Sequence, residues 1–264
     1  MVARPYLTSL VCLVIAAGCG GPSAEEPIES KEESALAEES DVIVAQEGSA
    51  AGASSITLQW SFVSTAQGWT GGYADYTRGM ESSIGFQRGW SQLPSPLTGG
   101  GFKLSGNNAS DDLWMFASKA LTRASHGIVP NALYDVTMTV WVASNAPSGC
   151  IGTGGAPGES VWLKGNVVNV QPRAVTSGEQ VLFNIAKGNQ AEIGPQALAF
   201  GDLANGDSCD LEPRYKLLQR TATRYAPVRA TSAGNLWVYF GSDSGFESRS
   251  TYFIDQIRVT LTRR

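Results

Sequence analysis

Apolar and polar residues alternate at a period of two along much of the chain. The clearest run is Tyr134 to Ala143. Tyr134, Val136, Met138, Val140 and Val142 point one way, and Asp135, Thr137, Thr139 and Trp141 the other. Ser160 to Val168 sets Val161 and Leu163 against Ser160, Trp162 and Lys164. Leu236 to Gly241 sets Leu236, Val238 and Phe240 against Trp237 and Tyr239. Thr251 to Leu261 reads as a closing strand. Ile56–Val63, Gly101–Leu104, Leu113–Leu121, Gln180–Ile185 and Tyr215–Gln219 complete the strand candidates. Turn clusters punctuate them: Pro94-Ser95-Pro96, Ser105 to Asn108, Gly152 to Gly158 and Ala204 to Asp207. Helical periodicity is almost absent. Many short strands with Gly, Pro and Asn between them predict an all-β fold, a single antiparallel β-sandwich spanning residues 56–264.

The pattern changes before Ile56. Arg4 is followed by an apolar run from Leu7 to Ala17, shorter than the roughly 18 residues a membrane-spanning helix needs. Ala16-Ala17-Gly18-Cys19 then resembles the cleavage box of bacterial lipoproteins, with Ala16 where Leu is usual. The resemblance implies a signal peptide over residues 1–18 and acylation of Cys19. It also implies an exported protein held by lipid on a bilayer, with Gly20 after the cysteine favouring the outer membrane or cell surface. Two or three acyl chains anchor stably where one does not. Residues 19–55 read as a flexible acidic tether. From Gly20 to Ser55 there are nine acidic residues, one lysine and no aromatic residue, so little apolar surface offsets the ordering entropy. A charged helix near Glu29 to Glu39 is the alternative. A flexible spacer of this length reaches roughly 30–35 Å.

Charge divides along the same boundary. From Ile56 onward 17 Lys and Arg face 15 Asp and Glu, so the acidic balance belongs to the tether. No nucleic-acid motif accompanies the basic C-terminal third, and an exported address makes nucleic acid an unsuitable partner. The single histidine, His126, excludes a His-rich metal site. Cys150 and Cys209 lie in loops, and an oxidising compartment predicts a disulfide between them, against a free thiol pair without CxxC spacing.

Four constellations are candidates for chemistry. Asn107 to Asp112, including Asn108, Asp111 and Asp112, is a loop for a cation or sugar hydroxyls, or an Asx-rich turn. Gly152 to Ser160 lacks the Lys-Ser/Thr ending of a phosphate loop. Its Glu159 is a catalytic carboxylate or a loop fastener. Asp243 and Glu247 are acids that can pair with Glu159 or Asp112, as a glycan-active enzyme requires. Trp141, Trp162, Trp237 and Tyr239 are aromatic faces that can stack on sugars, or parts of a second core.

Both ends of the domain resemble jelly-roll carbohydrate-binding and galactose-binding-like modules. The carriers are Leu58-Gln59-Trp60-Ser61-Phe62 with Gly68-Trp69, and Ser250 to Ile257. GGAPGES and NNASDD also resemble blocks of an uncharacterised family of bacterial lipoproteins. The module resemblance implies a non-catalytic glycan- or envelope-polymer-binding domain. It also implies a structural calcium on Asp255, with Asp75 standing in for the opening-strand acid that Val63 replaces. A glycan-active enzyme and an assembly protein binding an envelope protein are the rival functions.

Overall fold

The computed structural model describes the backbone of residues 42–47, and residues 54–224 and 226–264 in full. All of these belong to one unit, Glu39–Arg264. Cys19, the signal peptide and most of the acidic segment lie outside the described residues.

In chain order the strands are β1 (Val42–Glu47), β2 (Ser54–Ser61), β3 (Thr70–Ala74), β4 (Tyr76–Thr77), β5 (Gln87–Gln92), β6 (Gly100–Asn107), β7 (Leu113–Leu121) and β8 (Leu133–Ser144). They continue with β9 (Val161–Val168), β10 (Ala174–Ser177), β11 (Gln180–Phe183), β12 (Leu198–Asp202), β13 (Lys216–Thr223), β14 (Val228–Arg229), β15 (Leu236–Ser244) and β16 (Arg249–Arg263). Two single-turn helices, Glu81–Ile84 and Arg123–His126, lie between strands.

The fold is an antiparallel β-sandwich. In the larger sheet, β16 is central, with β8 on one side and β2 and β6 sharing the other. β13 and β14 extend it beyond β8, and β1 and β5 beyond β2 and β6. The second sheet runs β12-β9-β15-β7-β3. A small third sheet joins β10, β11 and β4.

The alternation in β8 explains its place. Tyr134, Val136, Met138, Val140 and Val142 are all buried between the sheets, with the intervening residues partly exposed. β16 contributes Ile257, Val259 and Leu261, and β2 contributes Leu58 and Trp60. From the opposing sheet come Leu163, Val167, Val238 and Phe240. Each such side chain contributes about 1.5–3 kcal/mol by leaving water.

β7 breaks the pattern, with buried residues on both faces. The chain between β9 and β12 covers the outer face of the second sheet. Phe183 and Ile185 pack there on Trp114, Phe116 and Tyr239, with Trp237 at the margin. Trp114 and Phe183 centroids are 5.3 Å apart. Position 241, on this outer face, requires glycine because a Cβ there would come within 2.0 Å of the Met115 carbonyl oxygen.

The structure differs from the sequence expectation in three places. Ser105 to Asn107 continue β6 rather than turning, because Ser105 pairs with Thr251. β2 starts before Ile56, at Ser54. Val42–Glu47, inside the acidic segment, forms an edge strand paired with β2 from Val42↔Gln59 to Glu47↔Ser54. Its Val42-Ile43-Val44 run favours a strand over a solvated spacer. The expected disulfide joins Cys150 to Cys209.

Candidate functional site

Two outer surfaces carry the candidate residues, one on each sheet. On the larger sheet, cross-strand registers align three rows over four strands. Thr57, Thr260, Thr137 and Thr223 form one row, and Gln59, Arg258, Thr139 and Thr221 the next. Ser61, Gln256, Trp141 and Gln219 form the third. All twelve are partly or fully exposed. Threonine hydroxyls bond across strands: Thr57 to Thr260 at 3.2 Å, Thr137 to Thr223 at 3.2 Å and Thr139 to Thr221 at 2.8 Å. Arg258 Nε donates to Gln59 Oε1 at 2.9 Å, and its guanidinium lies 5.4 Å from the Trp141 ring centroid.

The far end of this face is walled. Phe253 and Ala143 are covered by Leu93, Leu97 and Tyr215. At the foot of the wall, Asp255 is the extra residue of a β-bulge between Ile254↔Val142 and Gln256↔Trp141. Burial raises its carboxyl pKa above the ordinary value.

The second surface is a charged cluster on the other sheet. Asp243 of β15 is fully buried. Its Oδ2 accepts from Lys164 Nζ at 2.7 Å, Lys187 Nζ at 2.8 Å and the Gln190 backbone N–H at 2.8 Å. Lys187 also reaches Asp75 Oδ2 at 2.9 Å, and Asp75 Oδ1 accepts from the Phe183 N–H at 2.8 Å. Lys164 donates in addition to the Glu192 carbonyl at 2.8 Å. Asp75, Asp112 and Asp243 each bring one oxygen within 4.8 Å of the others. Asp75, Asp112 and Lys187 line a cavity of about 250 Å³ with Tyr76, Asn189 and Leu182.

Burial, and then the neighbouring Asp243 carboxylate, push the Asp112 carboxyl up to about 8. Burial pulls Lys164 below the ordinary lysine value despite Asp243. For Lys187 burial works in the same direction, but Asp243 and Asp75 outweigh it and hold the pKa above that value.

The aromatic group does not form one platform. Trp141 lies on the outer face of the larger sheet, and Trp162 and Trp237 on that of the other. Trp162 is in register with Asp243 and Trp237 with Val168, six residues apart along β15. Tyr239 is wholly buried, and its hydroxyl donates to the Gln196 carbonyl at 2.7 Å. Asn108 is buried too and donates to the Ser244 carbonyl at 2.8 Å. Asp111 is an exposed turn residue with φ 71°.

The expected acid pairing takes a different form. Glu159 Oε1 accepts from the Gly149 N–H at 2.7 Å, which fastens its loop. Glu247 is exposed, and its N–H donates to the Thr153 carbonyl. Asp243 meets Asp112 and Asp75. Asp75, between β3 and β4, groups with Asp112 and Asp243, whereas Asp255 lies in β16 of the larger sheet, so the pairing expected for a calcium is not formed. Sequence reading missed both lysines as cluster members. Lys164 does leave a signal, a lone charge inside the apolar strand VWLKGNVV. Lys187, in a Gly-flanked loop, leaves none.

No family model matches the chain, and no curated protein matches it. Solved structures that match include a carbohydrate-binding module of the β-sandwich superfamily, at 10% identity and TM-score 0.37 over 82% of this chain and 85% of that one. A xylan-binding domain from CBM 22 matches at 14% identity and TM-score 0.35, over 78% and 92%. The K1 cleaved adhesin domain of Lys-gingipain from Porphyromonas gingivalis W83 matches at 12% identity and TM-score 0.35, over 79% and 97%.

Proposed function

We propose that the protein is an envelope lipoprotein, acylated at Cys19, whose β-sandwich binds an extended neutral glycan without catalysis. The observation that carries the reading is the four-strand face around Trp141, which no other described element covers. Strands lie about 4.8 Å apart and alternate residues repeat about every 6.8 Å, a grid on the scale of sugar rings. Threonine hydroxyls and the amides of Gln59, Gln219 and Gln256 offer donors and acceptors along it. Trp141 and the Arg258 guanidinium supply the flat surface that sugar faces favour. The Cys150–Cys209 disulfide supports an oxidising, exported setting.

A glycan array with the mature chain, followed by calorimetry on the best binder, tests this reading. Trp141→Ala is expected to weaken binding about tenfold or more, and Trp162→Ala, on the other sheet, to leave it unchanged. Silence across the array, or full binding by Trp141→Ala, overturns the reading and moves weight to an envelope protein as partner.

A further inference from the structure

The cluster on the second sheet has a feature that its ion pairs leave unexplained. Asp243 is fully buried, and three donors converge on its Oδ2, yet its Oδ1 has no hydrogen-bond partner. Asp112 Oδ1 is likewise buried and unpartnered. Buried carboxylate oxygens without donors are costly. With Asp112 ionised, three carboxylates face only two ammonium groups, and either a proton on Asp112 or a further cation makes up the missing charge.

The geometry points to a divalent-cation site of the calcium type formed by Asp75, Asp112 and Asp243, with the Lys187 ammonium as its exchangeable occupant. Calcium takes oxygens at 2.3–2.6 Å, so one ion can touch three oxygens that lie within 4.8 Å of one another. Lys187 Nζ already bridges Asp75 and Asp243 at 2.9 and 2.8 Å. A dication in its place, with Lys164 retained, neutralises the three carboxylates. The cavity that Asp75, Asp112 and Lys187 line gives the ion a route in, water to complete its shell, and room for the displaced lysine. This site is independent of what the Trp141 face binds.

Trp114 supplies the readout, since Lys187 Nζ lies 5.2 Å from its ring centroid. Terbium is titrated into the full mature chain with tryptophan excitation, and calcium is then added as competitor. Sensitised emission is expected to rise at least fivefold and to be reversed by calcium. Terbium held by the acidic leading segment stays dark, because that segment has no aromatic residue. Asp243→Asn should abolish the signal. Trp114→Phe should abolish emission while calcium still raises the melting temperature. Lys187→Gln, which removes the competitor, should bind calcium about tenfold more tightly. If Asp243→Asn does not fold, Asp75→Asn replaces it, because its side-chain oxygen still accepts from the Phe183 N–H. No emission, emission retained in the folded Asn variant, or weaker binding in Lys187→Gln overturns the site.

Discussion

Asp112 shows how one side chain couples burial to pH. Its folded-state pKa, about 8, stands well above the ordinary carboxylate value of 3.8. The native state therefore holds a proton that the unfolded chain releases, and stability falls as pH rises from about 4 to about 8. In chelator, Asp112→Asn is expected to flatten that slope and to stabilise the protein at pH 8 by on the order of 2–4 kcal/mol. Urea melts at pH 5 and pH 8 measure it; a variant that is no more stable at pH 8 than the parent refutes this account. The same carboxyl illustrates what the sequence conceals. Asp112 reads equally as a ligand or as part of an Asx turn. Only the folded register of β7 against β15, Trp114↔Asp243, brings its neighbourhood to Asp243.

Single elements decide which surfaces stay open. The segment between β9 and β12 closes the outer face of the second sheet, and Phe183 is its main anchor, against Trp114, Phe116 and Tyr239. Phe183→Ala is expected to cost about 3–4 kcal/mol and to raise amide exchange first in this segment and around Lys187. Exchange that rises evenly over the whole sandwich would count against a local role. β8, with its clean alternation, and β7, a largely apolar run, were legible in the sequence almost to the residue. β3, β5, β10 and β12 were not, since they are short and Gly-rich or run along edges where alternation is weak. β1 was hidden by the acidic composition around it. Trp141 was legible as an outward aromatic on a polar face. The lysines of the cluster were not, because their positions depend on a loop folding back over a sheet.

For the molecule as a whole, the Cys150–Cys209 bridge closes 59 residues, carrying β9 to β12 with it. A loop of that length constrains the unfolded chain by about 4 kcal/mol in the chain-entropy account. The paired Cys150→Ser, Cys209→Ser variant is expected to lose roughly 2–4 kcal/mol while keeping its β-sheet circular dichroism, because the bridge joins two loops, β8–β9 and β12–β13, and lies outside the main core. Loss of the sheet signal at room temperature would show that the bridge holds the fold itself. The two sides of the sandwich are thus unlike: one carries a fastened charged layer, the other an open polar grid.

The edge strand β1 has a mechanical consequence. Under the anchoring proposed at Cys19, a pull between membrane and domain passes through β1, whose six residues are paired with β2. Unzipping β1 releases Val42 to Glu47, about 20 Å of contour, and leaves the pairing of β2 with β16 in place. Under that proposal β1 is the first paired element of the sandwich to yield under load, ahead of the core.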